Sequence, residues 1–133
     1  PSRAKIRVSF IQVNPPLYQS TVRQEIQLYR QQILKDIADS WHHESSTMWS
    51  GMAKLGMKKV GSPRFDVGHF GGKIALIIQY MRTQPYNSAE TVRVTQYHVP
   101  LGAEKAIVTL SCVDGDQKAI VACDRLKKSI VIL

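Results

Sequence analysis

The sequence predicts an α+β domain in which two helices cover an antiparallel sheet. Three observations carry this. Val22, Ile26, Tyr29, Ile33 and Ile37 recur every three or four residues, the period of one helix face. After Gly71-Gly72 the period changes to two, and apolar runs alternate with short turn-like segments. Ala119, Cys123, Leu126 and Ile130 then return to helical spacing. The expected sheet is a meander of three strands plus an N-terminal strand, with a long helix and a C-terminal helix covering its faces.

Each element has its own signal. "KIRVSFIQV" sets Ile6, Val8 and Phe10 against Arg7, Ser9 and Ile11 and reads as a strand. "NPP" at 14–16 is expected to end it, because proline donates nothing to a ladder and restricts its predecessor. In "STVRQEIQLYRQQILKDIADSW", Thr21 and Gln24 have capping-box spacing at the start of the long helix. Its stripe places Ile33 against the sheet and Arg30 on another face. From His42 to Phe70 the pattern weakens: "TMWSGMAKLGMKKV" allows a short helix, but glycines at 51, 56 and 61 and then Pro63 argue against anything long. "KIALIIQYM" is apolar on both faces, as expected of a central strand covered on each side. "TVRVTQYHV" and "KAIVTLSC" follow, separated by "TQPYNSAE" and "PLGAE". Asp116 is placed to cap the final helix.

The chain of 133 residues fits one domain, and a hydrophobic fraction of 44% suffices for a core. No apolar run is long enough to span a bilayer. The chain opens on Pro1, as expected of a processed product. The net charge of +8 is dispersed, without a block of five like charges. It permits an anionic partner but disfavours nucleic acid, whose footprints cluster on one element.

The two cysteines, Cys112 and Cys123, flank one short turn. Cys112 ends a strand, and Cys123 lies about 10 Å into the helix that must fold back over the sheet. Both side chains can therefore meet at the strand–helix interface, and a disulfide there implies an oxidising compartment. Two reduced core thiols are the alternative.

No motif for catalysis, metal or cofactor stands out. His42 and His43 are adjacent, while His69 and His98 stand alone, unlike the fixed spacings of metal sites. "HFGGK" lacks the spacing of a phosphate loop and opens a strand, not a helix. Asp36, Asp39, Asp114 and Asp116 lie on a helix and a turn, where capping or solvation accounts for them. Tyr29, Tyr80 and Tyr97 are expected to pack. Trp41 and Trp49 flank the irregular middle, either covering the end of the sheet or forming a contact surface. Around Trp49, the residues Met48, Met52, Lys54, Lys58 and Lys59 would make an adaptable apolar patch with a basic rim, the candidate partner-binding site.

The segments "VGHFGGKIALIIQY", "VRVTQYHVPLGAEKAIVTLSC" and "DRLKKSIVIL" resemble the PsbP-like fold family over residues 68 to 133. That family includes a photosystem II extrinsic subunit, a Ran-binding nuclear protein and small bacterial exported lipoproteins. Residues 42–70 depart from its pattern. A cystatin-like cone, with a long helix on an antiparallel sheet, is the second fold candidate. The resemblance implies a non-enzymatic exported module, periplasmic or lipoprotein-type. Its expected partner is another protein, membrane-associated or part of a secretion or envelope assembly. The alternative is a basic cytoplasmic module binding nucleic acid or an anionic partner.

Overall fold

The computed structural model describes residues 3–85 and 87–133; Pro1, and Tyr86 within the turn expected before the second strand of the meander, lie outside the described residues. The chain runs β1 (Ala4–Leu17), α1 (Gln19–Glu44), α2 (Ser46–Lys54), β2 (Lys59–Phe70), β3 (Lys73–Gln84), β4 (Asn87–Pro100), β5 (Gly102–Val113) and α3 (Gln117–Ser129). These form one five-stranded sheet in the order β1-β5-β4-β3-β2, with every neighbouring pair antiparallel. The α+β class, the helices over the sheet and the meander are as the periodicities predict. β1 and β2 lie on opposite edges, so α1 must carry the chain across the sheet. At 1.5 Å per residue its 26 residues are about 39 Å long, ample for that crossing.

The fifth strand, β2, occupies residues that look irregular in sequence. Its register shifts between Val60 and Arg64, which absorbs Gly61 and Pro63. An edge strand tolerates proline because one of its sides forms no ladder. Beyond the shift, Phe65 pairs with Ile78 and Val67 with Leu76. Gly71 and Gly72 have φ of +58° and +85° and join β2 to β3 as a two-residue hairpin. Gly71 is required a second way: a Cβ there would lie 2.9 Å from Ile132 Cγ1. The C-terminal tail docks at that point, with Ile132 N–H donating to the Gly71 carbonyl at 2.9 Å. With β2 added, β4 is the middle strand and β3 lies beside it.

Successive residues along a strand face opposite sides, so the two faces are built separately. On one face α3 closes a core of Phe70, Ala75, Tyr97, Val99, Val108 and Leu110. On the other, Tyr80, Val92, Val94 and Val113 pack against Trp41 of α1 and Met48, Trp49 and Met52 of α2.

Two expectations about α1 need correction. The helix bends at Tyr29, whose backbone is non-helical (φ −135°, ψ 33°). This breaks the phase of the stripe, so Tyr29 points outward at 61% exposure while Val22 stays buried. Thr21 and Gln24 make no capping box: the N-cap is Tyr18, without a side-chain cap bond. The helix start is tied down instead by Gln19, whose amide spans two strands. It donates to the carbonyls of Ile74 (3.0 Å) and Pro100 (2.8 Å) and accepts from Ile74 N–H (2.7 Å). At α3 the expected cap is present, with Asp116 accepting from Ala119 N–H at 3.1 Å.

Candidate functional site

Alternation along β4 places Tyr97 and Val99 in the α3 core and turns Gln96 and His98 toward α1. Neither Gln96 nor His98 fills the space below the helix as a large apolar side chain would. The result is a cleft of about 590 Å³ between α1 and the sheet. Ile33, Ile37 and Trp41 form its roof, Leu76 and Ile78 its floor, and Val13 and Leu17 of β1 one end. The roof residues sit at four-residue steps, so they share one line along the helix after the bend at Tyr29. Ile33, expected to be buried, is half-buried because it borders this opening. Arg30 is exposed and pairs with Asp66 at 2.9 Å.

Besides Gln96 and His98, the charged Asp36, Glu44 and Lys105 line the cleft. His98 Nε2 lies 3.0 Å from Gln96 Oε1. Since that oxygen only accepts, the neutral ring donates from Nε2 and keeps Nδ1 as an acceptor. Burial, then the charge of Lys105, pushes the His98 pKa down to about 4. Burial also lowers the Lys105 pKa, opposed by Glu44 across the cleft. At neutral pH the cleft therefore presents an apolar roof over an uncharged imidazole.

This has a measurable consequence. Unfolded, the imidazole takes a proton near pH 6.5; folded, it resists until about pH 4. The unfolded chain holds the extra proton between these values, so stability falls as pH drops through that window. Compared with His98→Gln, the native chain should lose on the order of 1–2 kcal/mol more between pH 7.5 and 4.5, after allowance for partial solvent contact. Urea denaturation at both pH values measures this. Parallel losses in the two proteins would contradict a neutral His98.

The six residues expected to bind a partner divide into two groups. Met48, Trp49 and Met52 turn inward on α2 and pack around Tyr80, with the Trp49 and Tyr80 rings 5.3 Å apart. Lys59 Nζ stands 5.0 Å over the Trp49 ring. The side chains of Lys54 and Lys58 are exposed. The main chain of Lys58 is bonded to Thr83 through both its amide and its carbonyl. Trp41 also packs on Tyr80, at 5.3 Å. Trp41 and Met48 also line the cleft, so the patch and the cleft are adjacent.

Cys112 and Cys123 lie at disulfide distance, with Cα atoms 6.4 Å apart. The pair joins the end of β5 to α3 and is compatible with an oxidising extracytoplasmic location. Among the described residues no helix is long and apolar enough to cross a membrane. Among the same residues no three His, Cys, Asp or Glu side chains group as metal ligands. Asp114 pairs with Arg93 at 3.0 Å, and Asp36 accepts from Gln32 at 2.8 Å.

Sequence reasoning missed the cleft residues Gln96 and His98. The signal available was polar residues alternating with Tyr97 and Val99 on a strand otherwise apolar enough to lie inside the sheet. Comparison of the chain with protein-family models, with curated proteins and with solved structures finds no match.

Proposed function

We propose that this chain is a non-catalytic binding module of an oxidising compartment, periplasmic or lipoprotein-type, whose cleft under α1 holds a small apolar ligand. The observation that carries the reading is the cleft itself. Its volume of about 590 Å³ falls within the range of small-molecule sites, and its walls are mostly aliphatic and aromatic. A neutral imidazole and one carboxamide supply directional contacts without the cost of burying a charge. The cysteine pair supports the compartment, and the likeness of residues 68–133 to PsbP-like exported proteins is part of the same proposal.

The test uses N-phenyl-1-naphthylamine, a neutral apolar fluorophore, titrated into the purified chain. Saturable binding is expected, and Ile37→Glu should weaken it at least tenfold by placing a carboxylate in the roof. Circular dichroism should remain unchanged, because Ile37 borders an opening. Failure to saturate, or equal affinity in the variant, would remove the cleft reading.

A second reading, docking of a partner protein on the α2 surface, is favoured by Leu55. It is 55% exposed beside Lys54, Lys58 and Lys59. The double change Lys58→Glu/Lys59→Glu should then weaken capture of a partner from the host envelope at least tenfold without unfolding the chain. Unchanged capture would leave the α2 surface without a role.

A further inference from the structure

On the same sheet face as the cleft, but toward the start of β1, lies a second depression of about 230 Å³. Its floor is Val92, Val94 and Val113 with the hydroxyls of Thr109 and Ser111. Tyr80 separates it from the cleft, since Trp41 and Met48 crowd Tyr80 from the cleft side. The register explains its chemistry. Lys5 lies opposite Ser111 and Arg7 opposite Thr109 on the edge strand. Arg82 stands on β3, on the other side of β4 and β5. Strands are about 4.8 Å apart, so β1 and β3 are roughly 14 Å apart. Arg82 stands in the row of Val92 and Val113, and Lys5 and Arg7 lie two and four residues further along the edge strand, all bordering the same depression.

The charges there are unequal. Arg3, at the end of the depression, is neutralised by Glu90 at 2.6 Å and by Asp116. Among the described residues, Lys5, Arg7 and Arg82 form no ion pair, and the side chains of Thr109 and Ser111 make no hydrogen bond within the protein. Among the described residues no carboxylate lines the depression. Arg82 is half-buried, and its side chain donates to the Thr83 carbonyl at 3.2 Å. A partly desolvated guanidinium without a counter-charge is costly and is relieved by an anion.

We propose that this depression binds a phosphate monoester, with Arg82 on one side, Lys5 and Arg7 on the other, and the Ser111 and Thr109 hydroxyls beneath. A flat carboxylate can satisfy one guanidinium fork, whereas the three terminal oxygens of a phosphate monoester can meet donors converging from two sides and below. The depression exceeds the size of the bare group, leaving room for the moiety that carries it.

The phosphate group can come from a soluble ester or from a lipid headgroup, and two probes separate these sources. The first is inorganic phosphate, titrated at 0.15 M sodium chloride and followed by the amide resonances of Ser111 and Val94. The second is phosphatidic-acid vesicles, compared with phosphatidylcholine vesicles. Saturable binding of either probe is expected, weakened at least tenfold by Arg82→Gln and by Arg7→Gln and unchanged by Lys128→Gln on α3. Arg7 is exposed on an edge strand, so its variant remains informative if Arg82→Gln unfolds. Phosphate binding assigns a soluble ester; binding to phosphatidic acid alone assigns a lipid headgroup. Binding of neither probe, or equal weakening by all three substitutions, would overturn the proposal. Ile37→Glu should leave phosphate binding intact, so failure of the cleft reading and failure of this one are distinguishable.

Discussion

Replacing Phe70 with alanine is expected to lower the stability of the fold by about 3–5 kcal/mol. Phe70 is 2% exposed and ends β2, and its ring lies 4.7 Å from that of Tyr97 on the middle strand. The hairpin glycines follow it immediately, and the C-terminal tail docks on Gly71. Truncation would open a cavity where the edge hairpin, the middle strand and the tail meet, and none of the three can move in without breaking its own pairing. Single domains are commonly stable by about 5–15 kcal/mol, so this one side chain decides a large part of the total. Phe10 is the control: equally aromatic, on the opposite edge strand, but 63% exposed. Its alanine variant should shift stability by less than about 0.5 kcal/mol. Urea denaturation of both variants gives the comparison, and equal shifts would show that the β2–β4 core is misplaced.

Removing the bridge between Cys112 and Cys123 is expected to cost about 3 kcal/mol in the chain-entropy account, given a sequence separation of 11 residues. The bridge joins β5 to α3, which also carries the Asp116 cap and is bonded through Asp116 to Arg3. Arg3, ahead of the Ala119 amide, holds the Asp116 carboxyl below its usual range and keeps this cap ionised at neutral pH. The Cys112→Ser/Cys123→Ser variant should therefore keep its helix but unfold at lower urea than the oxidised chain. Reduced native protein should match the variant. Alkylation followed by mass measurement, with and without reductant, reports the thiol state in protein taken from its own compartment. Coincident urea curves with and without reductant, together with two alkylated thiols in the unreduced sample, would remove both the bridge and the argument for an oxidising location.

Much of the sheet was legible because it rests on local alternation. β1, β3, β4 and β5 each show period-two patterning, and the two-glycine turn marks one hairpin. β2 was not legible, although Phe65 and Val67 alternate ahead of that turn. Gly61, Pro63 and Gly68 interrupt its pattern, and an edge strand needs less side-chain regularity than an interior one because half its backbone has no ladder partner. The bend at Tyr29 was hidden for a different reason. The sequence there carries neither proline nor glycine, so nothing local announces the change of phase.

What the sequence by itself determined is what depends on near neighbours. The α3 face, its Asp116 cap, the long helix from the twenties to the forties and the closeness of Cys112 to Cys123 all follow from spacings within about a dozen residues. What only the tertiary structure decided is what side chains distant in sequence do together. The cleft needs Ile33 and Ile37 above His98, and the basic depression needs Arg7 of β1 and Arg82 of β3 to border one hollow. In both cases the partners are more than 60 residues apart, and the antiparallel register determines which residues meet. A shift of one residue in that register would turn every side chain of the strand to the other face. The physical reason is that periodicity says which residues share a face, while strand order and register say what that face meets.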